Sequence, residues 1–166
     1  MRSGALAVLD AHPRFCDMEL RHLPEILEIE RRCYVTPWSE RSFRSELVQN
    51  AYAHYIVALR GRRLVGYAGM WLILDEAHVT NIAVHPEERR KGIGDGLLRE
   101  LEQRAATNGC LRMTLEVRAG NDAALTLYRK HGFEPRGIRP KYYSDTDEDA
   151  VIMWKEGLGS EPSPST

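Results

Sequence analysis

Residues 81–98 join three kinds of sequence, and they constrain the fold more than any other stretch of the chain. Ile82, Ala83 and Val84 form a short apolar run with β-branched members, which reads as a buried strand. Pro86 opens a polar turn, and Arg89, Arg90 and Lys91 lead into glycines at 92, 94 and 96. Leu97, Leu98 and Leu101 then recur at helical spacing, with Glu100, Glu102 and Arg104 between and beyond them. The order is strand, basic glycine loop, helix. Backbone N–H groups in the first turn of a helix have no partner inside it, and the macrodipole is positive there. Glycine lets a ligand come close to that backbone, and flanking cations add charge. Such a junction suits a phosphate or pyrophosphate. The plainer reading is an ordinary tight turn between strand and helix.

Two phosphate motifs do not fit. A P-loop needs Gly, four residues, then Gly-Lys-Ser/Thr. Here Lys91 precedes Gly92, and no Ser or Thr follows Gly94. A dinucleotide fingerprint needs Gly-x-Gly-x-x-Gly, and Leu97 stands in the third glycine's place. Glu116 lies near where that fingerprint carries its acidic residue, so its spacing alone carries no information.

The chain has 166 residues, the size of one domain, and a net charge of −1. A general nucleic-acid binder normally shows a basic excess. Cys16, Cys33 and Cys110 are scattered and odd in number, which argues against a disulfide framework and against zinc. They suit a reducing cytoplasm. The apolar runs fall short of the ~20 residues that a membrane span needs. Ala5-Leu6-Ala7-Val8-Leu9 is too short for a signal peptide and is followed at once by Asp10 and His12.

Residues 1–14 are weakly patterned and read as an N-terminal arm or an extra strand, and residues 15–156 read as one domain. From Gly157 the composition shifts to Gly, Ser, Pro and Thr, which predicts a disordered tail over 157–166. Phe15 to Leu20 alternates like a first strand, and Pro24 opens a helix carrying Ile26, Leu27 and Glu30. Ser39 reads as the N-cap of a second helix. Residues 51–59 and 64–72 predict a hairpin, and 77–84 the next strand. The helix from Gly94 runs to about Thr107. Leu111 to Val117 alternates as a strand, with Glu116 on the face opposite Leu115 and Val117. Asn121 caps a helix that stops at His131-Gly132. Residues 133–143 and 150–154 form the last strands around an acidic turn, Asp145 to Asp149. Hairpins at the front and a strand–helix–strand unit at the back predict an α/β fold. Its mixed central sheet has about seven strands, with helices on both faces.

Arg89-x-x-Gly92-x-Gly94 after Asn81-Ile82-Ala83-Val84 resembles the acetyl-CoA pyrophosphate loop of the GNAT N-acetyltransferases. Leu74-Asp75-Glu76-Ala77, Leu115-Glu116-Val117-Arg118, Asn121-Asp122-Ala123-Ala124, Leu127-Tyr128, Gly132-Phe133, Tyr142-Tyr143 and Thr36-Pro37-Trp38-Ser39 match in the same order. The resemblance covers roughly residues 17–155. It implies the GNAT acyl-CoA N-acyltransferase fold and acetyl transfer from acetyl-CoA to a protein N-terminal α-amine. Within the family, it implies the N-terminal alanine of a small-subunit ribosomal protein, with no metal and no binding to nucleic acid or membrane. For acetyl-CoA it implies contacts from Ile82, Ala83 and Val84, from the loop Arg89, Arg90, Lys91, Gly92, Ile93, Gly94 and Asp95, and from Asn121. Asp95 stands where relatives often carry a basic or small residue, and a carboxylate competes with phosphate for the field of a helix N-terminus. For the acceptor peptide it implies Trp38, Leu74, Asp75, Glu76, Tyr142 and Tyr143.

Acetyl transfer needs a neutral amine, donors for the tetrahedral oxyanion and a proton for the leaving thiolate. Deprotonating an α-amine at pH 7 costs roughly 1.4 kcal/mol, and a lysine about 4.6 kcal/mol. A modest base therefore serves an N-terminus better than a lysine. The resemblance gives that role to Glu116, whose plainer reading is an exposed strand glutamate. It gives the acid's role to Tyr128, whose plainer reading is a core tyrosine. A phenol reprotonates a thiolate only slightly uphill, by roughly 2 kcal/mol. Asn121 has a plainer role as a helix cap. A broader N-terminal or lysine acetyltransferase, and a non-catalytic acyl-CoA-binding module, are the alternatives. Binding alone needs neither Glu116 nor Tyr128.

Overall fold

The computed structural model describes residues 12–160. Strands β4 (Glu76–Val84) and β5 (Arg112–Arg118) run parallel, with Glu76 opposite Arg112 and His78 opposite Thr114. Parallel neighbours cannot be joined by a hairpin. The chain crosses between them through helix α3 (Ile93–Thr107). The other strands are β1 (Arg14–Asp17), β2 (Ala53–Arg60), β3 (Arg63–Ile73), β6 (Glu134–Tyr143) and β7 (Glu148–Lys155). They form one mixed sheet in the order β1-β2-β3-β4-β5-β7-β6, the seven strands expected. Helices α1 (Leu23–Cys33), α2 (Glu40–Val48) and α4 (Asp122–Lys130) complete the fold. The described residues divide into two compact units. One is the chain up to Trp71 with Thr80–Glu100, and the other is Leu72–Val79 with the chain from Leu101.

In the first unit, β1, β2 and β3 are antiparallel neighbours. Helix α1 buries Leu23, Ile26 and Ile29 at helical spacing, and these join Phe43, Val57 and Tyr67 in one apolar core. Ser39 caps α2, its Oγ accepting the Ser42 N–H at 3.1 Å. A buried carboxylate, Glu30, accepts from the Tyr67 hydroxyl and from the Trp38 N–H at 3.0 Å. Burial pushes its pKa above the ordinary carboxylate value despite the Trp38 bond. Gly69 opposes Tyr55, and a Cβ there would lie 2.1 Å from the tyrosine ring.

A second carboxylate ties the β2–β3 hairpin to the turn after β4. Glu88 is 6% exposed, and its oxygens meet Lys91 Nζ at 3.1 Å, Arg60 Nη1 at 3.0 Å and Arg63 Nη1 at 3.3 Å. The Lys91 ammonium, outweighing the cost of burial, holds Glu88 below the usual carboxylate range, and both arginines add to this.

In the second unit, β7 lies antiparallel between β5 and β6, with Glu116 opposite Ile152 and Arg118 opposite Ala150. Met113, Leu115 and Val117 are buried, while Thr114 and Glu116 on the other face are half-buried, as the alternation predicts. Asn121 Oδ1 accepts the Ala124 N–H at 3.2 Å and caps α4, which buries Leu125 and Tyr128. Glu102 of α3 lies 3.1 Å from Lys155 and 3.3 Å from His131.

Three expectations change. The first strand ends at Asp17, and Leu20–His22 form a short 3-10 turn before α1. Glu148 and Asp149 belong to β7, so the acidic turn ends at Asp147, whose φ is 59°. Structureless chain from Gly157 does not hold for its first four residues: Leu158 is buried, and its N–H bonds the Leu111 carbonyl at 2.9 Å. Residues 1–11 of the expected arm and 161–166 of the expected tail lie outside the described residues.

Gly69→Ala should destabilise the protein by about 1–3 kcal/mol, because the Tyr55 ring is buried and cannot yield without disturbing its neighbours. An unchanged urea midpoint would contradict this packing. For Glu88 the folded-state pKa lies below the unfolded one. Its stabilisation is therefore complete above the unfolded value of about 4.3 and fades as pH falls through the lower folded value. Glu88→Gln should lower Tm at pH 7 by about 2–4 °C. It should also flatten the decline of Tm between about pH 5 and pH 3, measured side by side with the wild type.

Candidate functional site

Within the first unit, the end of β4 and the start of α3 hold the residues expected to meet acetyl-CoA. Ala83 and Ile93 are buried, so the strand and the helix are each anchored in the core. The Gly96 N–H bonds the Gly92 carbonyl at 3.0 Å, the first bond of the helix. The N–H groups of residues 93–95 thus have no partner within α3. Before them the backbone enters the left-handed region twice, at Arg90 (φ 65°) and Gly92 (φ 79°). Arg90 holds a conformation that costs a non-glycine residue about 1 kcal/mol or more. Alternation of this kind turns backbone N–H groups into a concavity that suits anions.

The side chains of this stretch are less available than the sequence suggests. Lys91 is engaged by Glu88, and Asp95 Oδ2 accepts from Arg99 Nη2 at 2.9 Å. Arg89 points back: its Nε donates to the Val84 carbonyl at 3.4 Å and its Nη2 to Cys33 Sγ at 3.3 Å. Burial raises the Cys33 thiol pKa, which Arg89 opposes. The Tyr34 hydroxyl donates to the Ile82 carbonyl at 3.0 Å. Trp38 packs its ring 5.3 Å from that of Phe43, at the edge of the apolar core.

Within the second unit, Glu116 stands on β5 with its side chain 17% exposed and a partner for each oxygen. His78 Nε2 lies 3.1 Å from Oε2, and Arg139 Nε lies 3.6 Å from Oε1. Tyr128 is buried on α4, its ring 5.9 Å from that of Phe133. Burial, with a smaller contribution from Tyr143, pushes its pKa well above the ordinary phenol value. It stays protonated across the neutral range. Burial first, then Glu116 and other negative groups, against the opposing pull of Arg118, push Tyr143 up to about 12. Tyr142 meets Tyr143 edge-on, with centroids 5.2 Å apart, and the Arg139 guanidinium lies 5.6 Å from the Tyr142 ring centre.

Glu116, Tyr128, Tyr142 and Tyr143 are thus drawn into one neighbourhood of this unit. Asp75 and Glu76 are not part of it: both pair with Arg112 Nη1, at 3.4 and 3.3 Å. Arg112 stands four residues before Glu116 on β5, roughly 13 Å away at the rise of a strand. Leu74, 94% exposed at φ 55°, forms the turn between β3 and β4. His78 and Arg139, both in contact with Glu116, were not foreseen. Strand alternation carried a signal for His78: it lies opposite Thr114, and Glu116 is the next β5 residue on the Thr114 face. Among the described residues, no group of three or more His, Cys, Asp or Glu is placed to hold a metal ion. None of their helices is long and apolar enough to cross a membrane.

A carboxylate with a histidine on one oxygen and an arginine on the other can take up a proton, and a phenol kept protonated by burial can give one. The sequence profile of the acetyltransferase (GNAT) family matches residues 23–133. The Escherichia coli (strain K12) [ribosomal protein bS18]-alanine N-acetyltransferase is 39% identical over 138 residues, spanning 82% of this chain and 92% of that protein. The N-alpha-acetyltransferase RimI of Mycobacterium tuberculosis is 40% identical over 135 residues, spanning 78% of this chain and 83% of that one. The crystal structure of the Escherichia coli ribosomal-protein-S18-alanine N-acetyltransferase superposes with a TM-score of 0.81 at 33% identity, covering 93% of this chain and 99% of the other. The sequence match and the superposition agree, and the chain belongs to the GNAT acetyltransferase family.

Proposed function

We propose that this enzyme moves the acetyl group of acetyl-CoA to the N-terminal α-amine of a protein, and that its acceptor is the N-terminal alanine of a ribosomal protein. The acceptor class follows the relatives, whose names specify that alanine. The observation that carries the chemistry is the half-buried Glu116, gripped on one oxygen by His78 and on the other by Arg139. The reducing cytoplasm is the compartment that fits three free thiols.

On this reading, the backbone around Gly92 and Gly94 holds the diphosphate, with Arg89 and Arg90 adding positive charge. Lys91 contributes less, because Glu88 already holds it. The amine attacks the thioester carbonyl, the C–N bond forms and the C–S bond breaks. Glu116 takes the amine's proton, directly or through a water, and His78 keeps the carboxylate oriented. Tyr128 supplies a proton to the leaving sulfur. Its raised pKa makes it a weaker acid than a free phenol, which taken alone slows this step. A thiolate forming in an equally dry place is itself destabilised, so its affinity for the proton rises too. Asn121 caps α4 and also contacts the cosubstrate. Tyr142 and Tyr143 receive the acceptor peptide, and Asp75 and Glu76, held by Arg112, lie away from them.

The test is thiol release from acetyl-CoA with peptides that differ only in their first residue. Alanine-start peptides should be acetylated, and blocking the α-amine should abolish release. Equal turnover of internal lysines would overturn the proposed acceptor. Glu116→Gln should lower kcat about 100-fold or more, and Tyr128→Phe about tenfold or more. Both should leave coenzyme A affinity within about twofold. Unchanged rates would remove the assigned roles.

A further inference from the structure

The ladder between β6 and β7 lapses over residues 140–142, just before Tyr143. After a first register shift between Pro135 and Gly137, pairing runs from Gly137 opposite Ile152 to Arg139 opposite Ala150, then resumes with Tyr143 opposite Glu148. Pro140 lies in the gap and has no N–H to contribute. Lys141 adopts φ 49° and gives its N–H to Asp149 Oδ1 at 2.8 Å. Beyond the Tyr143–Glu148 pairing and the Thr146 N–H on the Tyr143 carbonyl at 3.3 Å, side chains hold the strand end and the turn after it.

Arg118 holds both. The edge of its guanidinium is bidentate on Asp145, with Nη1–Oδ1 3.1 Å and Nη2–Oδ2 3.0 Å, and Nη1 also donates to Thr146 Oγ1 at 2.7 Å. Its face lies 4.0 Å from the centre of the Tyr143 ring. The side chains of Arg118 and Asp145 are 25% and 19% exposed, so water and salt screen this pair less than an exposed one. Arg118 follows Glu116 by two residues on the same face of β5. One planar side chain thus references the β6–β7 turn and the plane of Tyr143 to the strand that carries Glu116. Lysine offers neither the fork nor the flat face.

We propose that Arg118 is a positioning residue for the acceptor: through Asp145 and the Tyr143 ring it fixes the acceptor side of the site relative to Glu116. This rests on the reading of Tyr142 and Tyr143 as acceptor contacts. Arg118→Gln should raise the KM of the acceptor peptide about tenfold and leave that of acetyl-CoA within about twofold. Arg118→Lys should fail to restore it. The double variant R118Q/D145N should be no worse than the more impaired single variant, because both changes cut one link. Amide exchange of residues 143–147 should quicken in Arg118→Gln. Equal rises in both KM values, a loss confined to kcat, wild-type behaviour of Arg118→Lys, or unchanged exchange would each overturn the proposal. If the wild type prefers an acceptor other than an alanine terminus, that result falls on the proposed acceptor alone. The KM split is then read with the preferred peptide, and exchange is read without any acceptor.

Discussion

Parallel pairing of β4 with β5 is the constraint on which the rest depends. Two parallel neighbours force the chain off the end of the first strand, across a face of the sheet and back to its starting edge. A helix is the compact way to do this, and its N-terminus then stands just beyond the strand's carboxyl end. Open α/β sheets place ligands in that position for the same reason. Here residues 85–92 join the two, and within them Arg90 and Gly92 adopt left-handed backbone. The first-turn N–H groups that follow have no partner within the helix.

Charge is balanced locally around that turn. Glu88 gathers Lys91, Arg60 and Arg63, and Asp95 is answered by Arg99 one helical turn later. Asp95 looks like a liability in the sequence, because it places a negative charge at a helix N-terminus where an anion would bind. Its pairing with Arg99 offsets that charge. Backbone dipoles, which cannot move away, then contribute a larger share of the attraction for an anion than a run of three basic residues implies.

Local physics made much of this legible in advance. Ser39 and Asn121 were recognisable as caps because capping requires only a short side-chain oxygen ahead of an apolar stripe, and both oxygens accept as expected. Alternation in β5 placed Glu116 away from the buried Leu115 and Val117. The rest depends on distant parts of the chain. His78 and Arg139 meet Glu116 from 38 and 23 positions away in sequence, through strand pairings that no local pattern encodes. By composition, Glu148 and Asp149 read as part of the solvated acidic turn. In fact they alternate within β7, and Asp149 accepts the Lys141 N–H. Asp75 and Glu76 match the family as part of a run of four residues, yet a single arginine on β5 decides where their carboxylates point.

Leu158 has a practical side. Its main-chain nitrogen is bonded to Leu111, its side chain is buried, and the backbone of Gly159 passes so near Ala106 that a methyl group there would lie 3.1 Å from the alanine methyl. Those four residues behave as a clasp at the seam between the end of α3 and the start of β5. A recombinant version that stops at Glu156, or carries a fusion partner from that point, would strip the clasp and bare an apolar strip. Splicing after Ser160 would keep it shut.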